Sequence, residues 1–320
     1  RYGYAPERHS SCADRLMDRR TFVAACASGL LIARSDAEAQ PAAAKVSRVG
    51  FLSYATAEQS ALLLREFTEG LRERGYIDGR NILIEPYYGD GTLGRLPDLA
   101  AGVVRSRVDV IVTGSNPIAA AAKRATTTIP IVMVGTLDPV GFGIVTSLAR
   151  PGGNVTGLCV DASAEMSAKN LSLLMEIVPG LSRVGMLRQV GYQEPQLEAA
   201  AQRLNVELYV VDVRTIDELE GAFAAMLQKR VGAVMIRGSL FFVRRRQVAD
   251  LALKHRLPAI HALKEYAQAG LLITYGANLS DLYRRAAGYV DRIVRGAKPG
   301  DLPVEQPTKF DLVINLSTAK

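Results

Sequence analysis

Between Asp109 and Gly143 the chain runs twice from an unbroken apolar stretch into a glycine-bearing turn. Residues 110–112 end in Gly114-Ser115-Asn116-Pro117 and pass into an alanine-rich segment. Residues 129–134 end in Gly135-Thr136-Leu137-Asp138-Pro139. A continuous β-branched run, without alternation, is the pattern of a strand buried on both faces. Asn116 and Asp138 suit a helix N-cap, and Pro117 and Pro139 suit the first helical turn. The pattern therefore predicts two strand–helix junctions. Free N–H groups at helix starts, at the carboxyl ends of parallel strands, are where α/β proteins hold polar and anionic ligands.

The same grammar runs through the rest of the chain. Strands are predicted at residues 48–54, 81–88 and 153–158, with helices at 60–74 and 97–105. After Asp161 the alternation restarts. Helices are predicted at 163–178, 194–204, 217–229 and 241–256, and strands at 183–190, 206–213, 233–237 and 258–262. Alternation of strand and helix predicts parallel sheets covered on both faces. Two such sets without repeated sequence predict an α/β protein of two Rossmann-like, doubly wound lobes. The tail breaks the rhythm: a strand at 271–275, an amphipathic helix at 279–295, a proline-punctuated extended run at 299–307, and a last strand at 310–316. A strand with no following helix predicts that the tail returns to a lobe already built.

Particular residues in this order of elements resemble a known family. They are Tyr275-Gly276, the run from Asp281 to Ala287 (DLYRRAA), and the tail from Lys298-Pro299 through Leu302-Pro303-Val304-Glu305-Gln306-Pro307-Thr308-Lys309-Phe310. Pro130, Asp138-Pro139-Val140-Gly141 and the run from Leu148 to Gly157 (LARPGGNVTG) fit equally well. The chain resembles bacterial ABC-transporter substrate-binding proteins, the family that includes the streptococcal tryptophan-binding protein. The resemblance implies a type I periplasmic-binding-protein fold with three crossovers, near residues 159–163, 266–277 and 297–308. It implies lobe one from 46–160 plus about 276–297, and lobe two from 161–270 plus about 305–320. It also implies a small-molecule ligand and an ABC permease in the inner membrane as partners.

Composition narrows the classes. The chain has 320 residues, 48% apolar and 22% charged, enough for two ordinary domains. Its net charge of +7 is thinly spread, and Arg244-Arg245-Arg246 is the one dense run. That run has no aromatic interleaving and reads as a solvated helix face, so no nucleic-acid partner is expected. No apolar run reaches membrane-spanning length. From Met17 the sequence MDRRTFVAACASGLLIARSDAEAQ has a charged start at Arg19-Arg20, an apolar stretch and an A-x-A site at Ala37-Glu38-Ala39. This is the outline of an export signal, twin-arginine-like or general secretory. Residues 1–40 are accordingly set apart as signal and upstream segment, and a periplasmic monomer is expected. Cys12 and Cys26 fall within the segment to be removed, which leaves Cys159 without a disulfide partner.

In a two-lobed binder the ligand sits between the lobes, touched by loops at the carboxyl ends of the strands. Lobe one offers Tyr54 to stack on a ligand, Ser115 and Asn116 for a carboxylate, and Asp138 for an ammonium group. Lobe two offers Asp161, Arg188 and Arg237 for charged groups and His261 as a donor, with Tyr275 at the second crossover. A forked guanidinium at Arg188 or Arg237 suits a carboxylate. The family more often carries an acidic-proline step where this chain has Arg237-Gly238-Ser239, which points to a more anionic ligand. The expected function is delivery of an amino acid or another small carboxylate, aromatic ones included, with no cofactor and no catalysis. One alternative is a nucleotide-cofactor-dependent enzyme, prompted by Gly89-Asp90-Gly91-Thr92-Leu93-Gly94. The other is a ligand-sensing protein of the same fold.

Overall fold

The structure, a computed structural model, describes residues 46–161, 164–192 and 195–319, together with Gly3. The expected export signal lies outside the described residues, as do Cys12 and Cys26.

The first sheet has five parallel strands: β1 (Ser47–Ser53), β2 (Ile82–Tyr88), β3 (Val110–Gly114), β4 (Ile131–Leu137) and β5 (Val155–Asp161), in the order β2-β1-β3-β4-β5. Helices α1 (Ala57–Arg72), α2 (Leu96–Arg105) and α3 (Asn116–Ala125) connect the early strands. Val110, Ile111 and Val112 are all fully buried, as an unbroken apolar run between two helical layers must be. β4 and β5 approach closely at Gly157. A Cβ there would lie 2.0 Å from the Met133 carbonyl oxygen, and its φ of 138° is one that side chains rarely adopt.

The second sheet repeats that strand order and adds one strand. It comprises β6 (Arg183–Gln189), β7 (Glu207–Val213), β8 (Ala233–Arg237), β9 (Ala259–His261), β10 (Ile273–Ala277) and β11 (Phe310–Ile314), in the order β11-β10-β9-β8-β6-β7. Only β11 pairs antiparallel, against β10. The helices are α4 (Ala164–Ile177), α5 (Pro195–Arg203), α6 (Leu219–Gln228), α7 (Arg245–Lys254) and the short α8 (Lys264–Gln268).

Three connections pass between the sheets. β5 leads into α4, whose Leu171 and Leu174 lie in the second sheet's core. β10 leads into α9 (Leu279–Val294), which returns to the first sheet and buries Leu282, Tyr283, Ala286 and Val290 against Phe51 and Phe67. The third runs beside β5, where Cys159 N donates to Glu305 O (3.0 Å) and Glu305 N donates to Gly157 O (2.9 Å), before entering β11. The tail therefore does return to a sheet already built.

One expected element is absent. No helix follows β4. Asp138 takes a φ of 40°, Gly141 N donates to its Oδ1 (3.0 Å), and residues 139–143 form turns. The carboxylate caps a local turn, which two close glycines, Gly141 and Gly143, keep from extending into a helix. Likewise Asn116 stands inside the first turn of α3, and Ser115 is the cap residue.

Candidate ligand-binding site

The carboxyl ends of the parallel strands of both sheets face one cavity of about 1140 Å³, mouth included. Such strand ends, where neighbouring connections diverge, are where doubly wound folds hold ligands. Its walls come from both sheets, among them Tyr54, Ser115 and Asn116 on one side, and Asn170, Arg237, His261 and Tyr266 on the other.

The β3–α3 junction supplies the first wall. Ser115 sits at φ 56°, ψ 160°, a conformation close to one that only glycine adopts easily. Its Oγ is buried and has no hydrogen-bond partner. Asn116 is locked: Nδ2 donates to Leu137 O (2.6 Å) and Oδ1 accepts from Leu137 N (2.8 Å), which ties the ends of β3 and β4 together. What Asn116 contributes to the cavity is therefore backbone at the start of a ten-residue helix, where N–H groups favour an anion. Tyr54 presents its ring, because its hydroxyl already donates to Gly91 O (2.6 Å). Burial pushes that phenol up to about 12, with the Arg244 charge opposing.

The second wall is a connected set of polar groups. Arg237 ends β8 with its side chain buried. Its Nη1 donates to Ile236 O and its Nη2 to Ser167 Oγ, both at 3.4 Å. His261 ends β9, and its Nδ1 accepts from Leu263 N (3.0 Å), which places the ring hydrogen on Nε2. Burial first, and the Arg237 charge second, hold this imidazole well below its ordinary range, so it is neutral. The His261 ring stacks on Tyr266, with centroids 3.7 Å apart. Tyr192, Phe242 and Tyr283 add further aromatic surface.

The other expected residues stand elsewhere. Asp138 is exposed and caps its own turn. Arg188 pairs through two bonds, 2.7 and 2.9 Å, with Asp212, its register neighbour on β7, and that guanidinium lowers the Asp212 carboxyl. Tyr275 stacks beside Phe310 within the second sheet and does not line the cavity. Asp161 ends β5, and its side chain lies outside the described residues. Sequence reasoning missed Asn170, Ser167 and Tyr266. A signal was present for two of them: Ser167 and Asn170, three residues apart on one helix face, interrupt the apolar stripe of Met166, Leu171 and Leu174.

The G-x-G-x-x-G stretch is occupied by packing. A Cβ on Gly91 would lie 2.9 Å from the Val243 side chain of the opposite unit, and Asp109 precedes β3, at the end of the sheet away from the glycines. Among the described residues no three His, Cys, Asp or Glu side chains group as metal ligands, and no helix is long and apolar enough to cross a membrane.

Two mostly parallel α/β sheets, three connections and a cavity walled by both define a two-lobed ligand-binding protein of the periplasmic-binding type. Residues 57–320 match the model of the ABC transporter substrate binding protein family, and the chain belongs to that family. It is 27% identical over 259 residues to a tyrosine-binding protein of Clostridioides difficile, covering 79% of this chain and 74% of the relative. A conserved domain protein from Vibrio cholerae superposes with a TM-score of 0.79 at 26% identity, over 86% of this chain and 93% of the other. The L-Trp complex of an ABC domain from Streptococcus pneumonia shares the fold, with a TM-score of 0.79 at 22% identity, over 86% and 94%.

Proposed function

We propose that the protein is the exported, periplasmic solute-binding component of an ABC importer. It works as a monomer, without cofactor, nucleic acid or catalytic step. Its two sheet units are the lobes, divided near residues 161, 276 and 305, and they close around one amino acid or small carboxylate, aromatic ones included. It then presents that ligand to a permease in the inner membrane. The observation that carries this reading is the cavity itself: a buried guanidinium, Arg237, shares it with the strained Ser115 junction and with aromatic rings from both lobes. Ser115 and the α3 N–H groups together with Arg237 offer a carboxylate donors from opposite sides, while Tyr54, Tyr192 and Phe242 take an apolar body. The tyrosine-binding relative supports an amino acid as the ligand.

Ligand contacts from both lobes exist together only when the lobes are closed, so binding shifts the population toward closure. A thermal-shift screen of amino acids, aromatic acids and NAD tests the reading. Stabilisation by one or more carboxylates is expected. Stabilisation by NAD alone contradicts it, and retention of the full precursor in the cytoplasm contradicts the exported role.

A further inference from the structure

Two polar side chains in the lobe-two wall are fully buried and have no hydrogen-bond partner. They are Asn170, at both Nδ2 and Oδ1, and Tyr266, at its hydroxyl. Both line the cavity. Neighbouring groups of the same cavity wall lie between them. Ser167 lies one turn before Asn170 on α4, its Oγ accepts from Arg237 Nη2, the Arg237 charge reaches His261, and the His261 ring stacks on Tyr266. Buried polar groups are costly to leave unpaired, so such a set specifies what enters.

The set demands more than a carboxylate. A carboxylate accepts from Asn170 Nδ2 but has no hydrogen to give Asn170 Oδ1. An ammonium, a hydroxyl or an amide or indole N–H can donate there, and the indole N–H cannot also accept from Nδ2. The Arg237 cation stands in the same wall, and a second cation beside it is disfavoured, whereas a neutral hydroxyl is not. A phenol also accepts and donates at one oxygen, which matches both ends of the Asn170 amide. The rings of Tyr54, Tyr192 and Phe242 around the same cavity suit an aryl body.

We infer that Asn170 and Tyr266 form a subsite for a hydroxyl on the ligand's ring, so that the protein selects hydroxylated aromatic carboxylates over their unhydroxylated analogues. This rests on the reading of the cavity as a site for a small carboxylate. A site built around buried hydrogen-bonding groups rejects the ligand that lacks the matching group far more strongly than an apolar pocket rejects a missing methylene.

Isothermal titration with four ligands separates the possibilities: L-tyrosine, L-phenylalanine, 3-(4-hydroxyphenyl)propionate and 3-phenylpropionate. The expected result is that the hydroxylated member of each pair binds at least about 100-fold more tightly. In Asn170→Leu that ratio falls below roughly tenfold in both pairs, through loss on the hydroxylated side. Tyr266→Phe, which removes one oxygen and leaves the ring packing intact, lowers the ratio in the same direction and serves if the Asn170 variant does not fold. Equal affinities within each pair overturn the subsite but leave the carboxylate site standing. So does an Asn170→Leu loss that follows the ammonium instead of the hydroxyl. Failure of all four to bind overturns the subsite and the aryl-carboxylate reading together.

Discussion

His261 shows how much a single side chain's meaning depends on its neighbours. By type it is an ordinary donor at a strand end; in place it is buried, stacked on Tyr266 and kept neutral by desolvation and by Arg237. Its folded-state pKa lies below the unfolded value of about 6.5, so the unfolded chain binds the extra proton. Above that value it adds no penalty, and as pH falls below it stability is lost, by up to about 1.4 kcal/mol per pH unit for one proton. Between pH 7 and 5 the wild-type melting temperature should therefore drop more steeply than that of His261→Gln, and parallel profiles would refute this account of His261. The two candidate arginines show what residue type alone leaves undecided. Arg188, one residue before the end of β6, and Arg237, the last of β8, are register neighbours, yet Arg188 forks onto Asp212 while Arg237 lines the cavity. That difference arises from sheet order, since β6 lies between β7 and β8, and order is not written in local sequence. Asn170 was legible only as a break in an apolar stripe, and which wall that stripe faces is decided by where α4 packs.

At the scale of elements, the strands were the legible part. Unbroken β-branched runs such as 110–112 can be little else than sheet interior, and the alternation with helices dictated parallel pairing. Junctions were less legible. Two similar strand–turn–proline sequences gave one helix, α3, and one set of turns after β4, because Asp138 adopts a positive φ and its carboxylate is spent on Gly141. At the β3–α3 junction Ser115 carries strain that local hydrogen bonding does not relieve, of order 1–3 kcal/mol for such backbone. Ser115→Gly should relieve part of it and raise the melting temperature by a few degrees. The same change should weaken ligand binding, since the unpartnered hydroxyl is removed. A lower melting temperature in a differential scan would show that the junction is not strained.

At the scale of the molecule, the lobes meet through a small number of contacts. Gln59 Nε2 donates to Val243 O across the gap at 3.0 Å, while its Oε1 accepts from Thr56 N in the cap of α1. Phe142 meets Tyr192 edge-on at 5.0 Å, and Gly91 packs on Val243. In the proposed closing motion these contacts form and break, so they tune affinity through the population of the closed state. Loss of a bond worth about 1 kcal/mol predicts that Gln59→Ala weakens binding roughly fivefold, mostly through faster release. Stopped-flow dissociation measures this, and an unchanged release rate would remove Gln59 from the closing contacts.

The central claim is that one small carboxylate is held between the lobes by a buried guanidinium. Isothermal titration of the wild-type protein and Arg237→Gln against a panel of aromatic carboxylates and amino acids addresses it directly, with circular dichroism to confirm that the variant folds. The account predicts one-to-one binding by at least one member of the panel and a loss of at least about tenfold in affinity in folded Arg237→Gln. Binding that survives the substitution undiminished, or no binding across the whole panel, would contradict it.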